Sequence, residues 1–306
     1  MRKLIKYIVT ALVVVLPFSS AAAYYGTDNP LIGALSGVIE MKTAAMPYQA
    51  SLWIEDLADK DSAFKIVFAQ DKQRKAASVI KLQIMAVCFQ LALEGRLDLE
   101  GLYALADEDR TEGSGAIKGI KSGTQFRHIR LIELMTTRSD NTAANALIRI
   151  IGMDVMNEYF KKLGCQDTQL NRYILHESRK EGVENYTSAR DCALILRGIY
   201  NGSCVTPEYS QKMLEFLKKQ KVRNRIPRFL PENVSVANKT GTLFGAFHDV
   251  GIVYTEKGDF ILCSFVQGEF EKYDTAKEYI SEIARIVYDY YLGYRIDQPD
   301  KKTQHE

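Results

Sequence analysis

The sequence predicts an α+β fold: an antiparallel sheet built from both chain ends, with flanking helices, plus an all-α lobe inserted between the two halves. Three observations predict it. Strand-like runs come as a pair near the start, Tyr48–Ile54 and Phe64–Phe68, and as a trio near the end, Val234–Lys239, Asp249–Thr255 and Phe260–Val266. The stretch between them, from about 100 to 220, is dominated by helical periodicity. Amphipathic helical patterns at 31–41 and 274–291 stand outside the strands at both ends. The lobes are therefore assigned as 24–85 with 215–306 for the sheet-bearing one, and 86–214 for the helical one.

The extreme N-terminus stands apart. Arg2, Lys3 and Lys6 precede an apolar run from Tyr7 to Phe18, followed by Ser19, Ser20 and Ala21–Ala23. A basic start, a short apolar stretch and an A-x-A site read as a secretory signal peptide, residues 1–23, cleaved after Ala23. The expected destination is export, to the periplasm or beyond, with no stable membrane anchor left after cleavage. Next, Asn29-Pro30 supplies a cap and a first-position proline for the helix Leu31–Met41. The two early strands are separated by the polar turn Asp56–Asp61. A helix starts near Ser78, runs through Leu82, Met85, Val87, Phe89 and Leu91, and stops at Glu94-Gly95. Within the helical stretch, 128–135, 141–151, 154–163 and 189–200 are the clearest patterns. The late strands are joined by short turns such as Lys257-Gly258-Asp259.

Composition excludes more than it assigns. The 306 residues are 46% hydrophobic and 25% charged, enough to build a sizeable core. A formal net charge of +2 gives no electrostatic reason for a nucleic-acid partner. The five cysteines, Cys88, Cys165, Cys192, Cys204 and Cys263, and the four histidines show no metal-ligand spacing, so no metal is expected. Cys192–Cys204 is a candidate disulfide; otherwise the cysteines read as small buried hydrophobes.

Three short motifs carry chemistry. In Ser78-Val79-Ile80-Lys81, the lysine lies one helical turn after the serine, so both side chains share a face. A serine hydroxyl is a weak nucleophile until a base takes its proton, and a lysine amine can serve if burial or neighbouring cations lower its pKa. A helix N-terminus adds N–H groups for a developing oxyanion. The plainer reading is a helix cap with a solvated lysine. Ser139-Asp140-Asn141 precedes an apolar-periodic helix, and its plainer reading is a capping sequence. Lys239-Thr240-Gly241, followed by Thr242, ends a strand, where the plainer reading is a turn glycine. All three in this order, on a helix start, in the helical lobe and on the sheet, point instead to one cleft between lobes.

The trio resembles the signature of the class A β-lactamases and their penicillin-binding relatives. So do Gly113-Ser114-Gly115, Leu131-x-Glu133-Leu134-Met135, Thr142-Ala143-Ala144-Asn145, Ala189-Arg190-Asp191, Val236-Ala237-Asn238 and His248-Asp249-Val250-Gly251-Ile252. The resemblance covers most of the chain after the leader and implies a β-lactamase/transpeptidase-like fold. It implies that Ser78 is acylated, that Lys81 helps remove its proton, and that Ser139 relays a proton to the leaving nitrogen. Asn141 would bind the substrate's side-chain amide. Lys239 would attract its carboxylate, with Thr240 and Thr242 as hydroxyl partners, and Gly241 would let substrate lie against the strand. The N–H groups of Ser78 and Thr242 would form the oxyanion hole. No organic cofactor is implied, and the partner is a small-molecule β-lactam or a peptidoglycan-like peptide met by a monomer.

One departure concerns the second half of the reaction. Leu170-Asn171-Arg172-Tyr173 resembles the start of the loop that carries the family's deacylating glutamate, but Ile174 stands where the glutamate belongs. Glu177, Glu181 and Glu184 lie nearby, with Glu177 the first candidate substitute. Arg223, Arg225 and Arg228 form a basic cluster that reads as a solvated face, although one of them could assist the carboxylate. The expected function is a serine β-lactamase. A penicillin-binding, DD-peptidase-like hydrolase with slow deacylation and a β-lactamase-like binding or sensor domain are the alternatives.

Overall fold

The computed structural model describes residues 23–25, 30–57, 64–175, 182–269 and 273–293. Six strands form one antiparallel sheet: β1 (Ala23–Tyr25), β2 (Gln49–Asp56), β3 (Lys65–Phe68), β8 (Val236–Leu243), β9 (Ala246–Val253) and β10 (Phe260–Gln267). Their spatial order is β1-β3-β2-β10-β9-β8, so the two chain ends meet where β2 pairs with β10. Two small two-stranded ribbons complete the β structure: β4 (Arg74–Lys75) with β7 (Tyr186–Thr187), and β5 (Leu102–Ala104) with β6 (Gln125–Arg127). The helices are α1 (Pro30–Ala44), α2 (Lys81–Leu93), α3 (His128–Thr137), α4 (Asn141–Ile151), α5 (Met153–Lys162), α6 (Ala189–Tyr200), α7 (Pro207–Lys218) and α8 (Asp274–Leu292).

Side-chain alternation explains why the central strands read as continuous apolar runs. Along β10, Phe260, Leu262 and Val266 enter one core, with Ile32, Leu35 and Ile39 of α1 and Ile280, Ile283 and Val287 of α8. Ile261, Cys263 and Phe265 enter the other, with Val250, Ile252 and the helical lobe. A strand buried on both faces needs no polar alternation. The second core centres on α2, whose residues from Lys81 to Phe89 are all buried. A helix apolar on every side must be surrounded, and here α3, α5, α6 and α7 surround it. Phe89, for example, packs against Tyr209 of α7 with ring centroids 5.1 Å apart and planes tilted by 41°.

Several predicted boundaries move. The first helix runs to Ala44, three residues further than its pattern suggested, and begins at Pro30; its predicted cap, Asn29, lies outside the described residues. Residues 1–22 of the predicted leader also lie outside them, and Ala23 opens β1 opposite Val67. The strand predicted to end at Lys239 continues through Thr240, Gly241 and Thr242 to Leu243, because β9 pairs with it residue for residue. Its turn glycine is Gly245, at φ +73°, and not Gly241. All five cysteines are free, so the Cys192–Cys204 bridge does not form. Cys192 is buried with its Sγ 3.2 Å from the Gln83 side-chain amide, while Cys204 packs on Gly198. Among the described residues, no helix is long and apolar enough to cross a membrane.

One buried side chain bolts the segment before Ser78 to the sheet. Nδ1 of His248 on β9 accepts from the Val266 N–H at 3.2 Å, which leaves the proton on Nε2, and Nε2 donates to the Lys75 carbonyl at 2.8 Å. Burial depresses this imidazole's pKa to about 3. The unfolded chain takes up that proton near pH 6.5, so stability drains away as the pH falls from there toward 3. Asp249 beside it shifts in the opposite sense, but a His248→Gln comparison isolates the histidine. Urea midpoints of H248Q are expected to fall less steeply between pH 6.5 and about 4 than those of wild type; parallel curves would rule out this protonation as the acid-labile step.

Candidate active site

Ser78 sits on a 3₁₀ turn, Ala77–Ile80, and α2 begins at Lys81. Three residues per turn eclipse positions i and i+3, so this turn aligns Ser78 with Lys81 more directly than an α-helical start would. Ala77 takes φ +47°, an uncommon conformation for a residue with a Cβ. The strain is overcome by the anchors on the segment just before it. Arg74 donates to Ser51 Oγ at 2.9 Å, the Lys75 N–H to Gln267 Oε1 at 2.9 Å, and the Ala76 N–H to the Asn185 carbonyl at 2.7 Å.

The three motifs meet around one amine. Lys81 is fully buried, and its Nζ lies 3.2 Å from Ser78 Oγ, 2.7 Å from the Ser139 carbonyl, 3.4 Å from Ser139 Oγ and 2.6 Å from Asn141 Oδ1. Burial, then the charge of Lys239, hold its pKa well below the ordinary lysine range, with Asp140 pulling the other way. From the opposite side, Lys239 Nζ donates to Ser139 Oγ at 3.0 Å and to the Thr240 carbonyl at 3.0 Å. It too is fully buried, and desolvation with the nearby Arg225 brings its pKa down to about 7. Ser139 therefore lies between two amines of lowered basicity.

The capping reading of Ser139-Asp140-Asn141 also holds. Asp140 Oδ1 accepts from the Ala143 N–H at 2.9 Å and caps α4. Its Oδ2 accepts from the N–H groups of Ala116 and Ile117, at 2.5 and 3.0 Å, so the carboxylate also shapes the 113–117 loop. Gly115 is required there, since a Cβ would come 2.7 Å from the Asp140 carboxyl carbon. Ser139 is held at φ +52°. Asn141 is engaged at both ends of its amide: Oδ1 by Lys81, and Nδ2 by the Glu112 carbonyl at 2.9 Å.

Gly241 lies within β8 and is not a turn glycine, and it has a packing duty there. Its position on β8 faces the Ser78 turn, and a Cβ would meet Val79 Cγ2 at 2.9 Å, with Ala77 Cβ and the Val79 nitrogen at 3.2 Å. The glycine lets the 3₁₀ turn lie against the strand. Thr240 is buried and Thr242 exposed. Arg225, read from sequence as part of a solvated face, is buried. It donates to the Gly241 carbonyl at 2.8 Å, to Thr242 Oγ1 at 2.5 Å and to the His248 carbonyl, over the Phe247 ring. Asp249 offsets it and Lys239 from within, accepting from Asn238 Nδ2 at 2.9 Å and from the Ile226 N–H at 3.1 Å. Burial raises the Asp249 pKa to about 6. The buried neighbours Ile226 and Pro227 are the signal that could have separated Arg225 from Arg223 and Arg228; Arg228 is a surface partner of Glu278.

A cleft beside Ser78 is lined by Ala77, Arg172, Ile174, Leu175, Glu184, Asn185, Thr242 and Leu243. Ile174 is buried in its wall. Asn145 holds its backbone, accepting from the Ile174 N–H at 2.7 Å and donating to its carbonyl at 3.2 Å. Glu177 and Glu181 lie outside the described residues; Glu184 lies within them, paired with Arg172 at 2.5 Å. Among the described residues, no cluster of three or more His, Cys, Asp or Glu could hold a metal ion.

Residues 34–291 match the model of the β-lactamase enzyme family. The chain belongs to that family. Among curated β-lactamases it is 25% identical to VEB-1 of Pseudomonas aeruginosa over 233 residues, 71% of this chain and 77% of that one. It is 24% identical to a β-lactamase of Streptomyces albus G over 241 residues, 75% of this chain and 76% of the other. Among solved structures, a leucine-to-glutamate mutant of PBP-A, an acyl-enzyme complex with penicillin G, superposes with a TM-score of 0.78 at 26% identity, covering 86% of this chain and 98% of that one. A β-lactamase from Sphaerobacter thermophilus superposes with a TM-score of 0.76 at 24% identity, over 86% and 98% of the two chains.

In this β-lactamase-family chain the approach of turn to strand at Gly241 is open to test. Gly241→Ala is expected to lower the unfolding free energy by about 1–3 kcal/mol in urea titration. Gly37→Ala in α1, where a Cβ meets nothing within 4 Å, is expected to gain about 0.5–1 kcal/mol. Equal effects at the two sites would refute the contact argument.

Proposed function

We propose that this protein is an exported serine β-lactamase that opens β-lactam amides through an ester on Ser78. The observation that carries the reading is Lys81: a buried amine of lowered basicity, 3.2 Å from Ser78 Oγ and within hydrogen-bond reach of Ser139 and Asn141. Family membership supports a β-lactamase-like hydrolase. The basic, apolar and small-residue order of the N-terminus supports export.

In the proposed acylation, neutral Lys81 takes the proton from Ser78 Oγ as that oxygen attacks the lactam carbonyl carbon. The N–H groups of Ser78 and Thr242 receive the developing oxyanion. The carbon–nitrogen bond breaks, and the nitrogen receives a proton through Ser139 Oγ, which touches both amines. The division of labour between the lysines rests on their differing environments: Lys81 works deprotonated, and Lys239 works charged, holding the substrate carboxylate with Thr240, Thr242 and Arg225. Asn141 reaches the substrate's side-chain amide once its own contacts rearrange.

Intact-protein mass spectrometry after mixing with penicillin G tests the reading. Wild type should show an adduct of the antibiotic's mass or consume the antibiotic, and Ser78→Ala should do neither; antibiotic loss undiminished in S78A would defeat the assignment. The charge on Lys239 adds a pH test. Above about pH 7 this amine discharges, so the apparent affinity for an anionic β-lactam should fall as the pH rises, while that for its neutral methyl ester should stay level. A parallel fall for both would remove Lys239 from carboxylate binding.

A further inference from the structure

An ester on Ser78 is hydrolysed only if some group takes a proton from water as it attacks. Ile174 has no such group. Of the described residues lining the cleft beside Ser78, Glu184 alone carries a carboxylate. Its arrangement is asymmetric. Arg172 donates from both Nε, at 3.2 Å, and Nη2, at 2.5 Å, to the same oxygen, Oε2, and Oε1 has no hydrogen-bond partner among the described residues. Both side chains are largely buried, 10% and 14% exposed, so the carboxylate is fixed in place, not free on a surface.

The backbone that carries Glu184 is tied to the nucleophile. Asn171 Nδ2 donates to the Glu184 carbonyl at 2.8 Å. Asn185 Oδ1 accepts from the N–H groups of Asn171 and Arg172, at 2.8 and 3.0 Å, and closes the neck of the loop. The Asn185 carbonyl then accepts from the Ala76 N–H at 2.7 Å, two residues before Ser78. Glu184 is therefore registered against Ser78 through two short links.

We propose that Glu184 is the general base of deacylation, a catalytic residue for the hydrolytic half of the reaction; this rests on the acyl-Ser78 reading above. Water gives a proton to Glu184 Oε1 while its oxygen bonds to the ester carbonyl carbon. The tetrahedral intermediate collapses with cleavage of the bond to Ser78 Oγ, and that oxygen recovers the proton held by Glu184. The products are the opened acid and free Ser78. Arg172 orients the base through the oxygen that does not take the proton.

The test follows adduct lifetime by intact mass in the full chain, with two acylating probes, penicillin G and p-nitrophenyl acetate. In Glu184→Gln the adduct should form and then persist roughly a hundredfold longer than in wild type. Wild-type deacylation is expected to slow on acidification, and in E184Q that slowing should be absent. Formate should shorten the adduct lifetime in Glu184→Ala, because a small carboxylate can occupy the vacated place. A lifetime within about twofold of wild type in E184Q would overturn the proposal. So would a long lifetime that keeps the wild-type pH dependence and ignores formate, the behaviour of a loop strut. If p-nitrophenyl acetate labels Ser78 and penicillin G does not, the β-lactam reading fails, and the acetyl-enzyme lifetimes still decide Glu184.

Discussion

The burial of the Lys81 amine is the constraint on which the rest of the site depends. An ammonium removed from water costs several kcal/mol unless it is compensated or deprotonated. Here it is met by Ser78 Oγ, the Ser139 carbonyl and Asn141 Oδ1, which together satisfy a buried amine while leaving it poorly charged. Those contacts demand close approach of three chain segments. The approach explains Gly115 against Asp140 and Gly241 against Val79, where a methyl group would collide. Elsewhere α2 buries mainly apolar side chains, with Gln83 the polar exception, and Lys81 is its one buried cation.

A second buried amine sits across Ser139, and the fold balances it differently. Lys239 and Arg225 lie close to Asp249, whose carboxylate is itself destabilised by burial. Burial thus moves Lys239 down to about 7 and Asp249 up to about 6 in one dry region, where their charges are coupled. His248, with its neutral ring fixed between Val266 and Lys75, contributes no charge to this group and serves as a mechanical link from β9 to the segment before Ser78.

Much of this was legible in the sequence, for physical reasons that differ by element. The long strands and helices announce themselves because their period matches one or two cores: β10 alternates between Phe260, Leu262 and Val266 on one face and Ile261, Cys263 and Phe265 on the other. Ser78, Lys81, Ser139 and Lys239 could be named from motif spacing, and the structure brings these four together. Two-residue strands such as β4 and β7 carry no period and exist only through tertiary pairing. The continuation of β8 past Gly241 was hidden because a glycine in a strand looks like a turn until the crowding partner, Val79, is known. Arg225 looked like its exposed neighbours, since one arginine in three cannot be singled out for burial by charge alone.

The two halves of the proposed reaction draw on different parts of this architecture. The proposed acylation uses groups on the 3₁₀ turn that carries Ser78, on α2, at the α3–α4 junction and on β8, joined by hydrogen bonds through Lys81 and Ser139. Hydrolysis depends on the segment around Arg172, Ile174 and Glu184, joined to the rest through Asn145, Asn185 and the Ala76 amide. A substitution in that segment can alter how long an ester survives without touching the amines that form it. Ile174 illustrates the separation: its side chain completes an apolar wall, its backbone is pinned by Asn145, and neither contact reaches Lys81. In the proposed reaction the lifetime of the ester therefore rests on the loop neck, which meets the Ser78 turn through the Asn185 carbonyl and the Ala76 N–H.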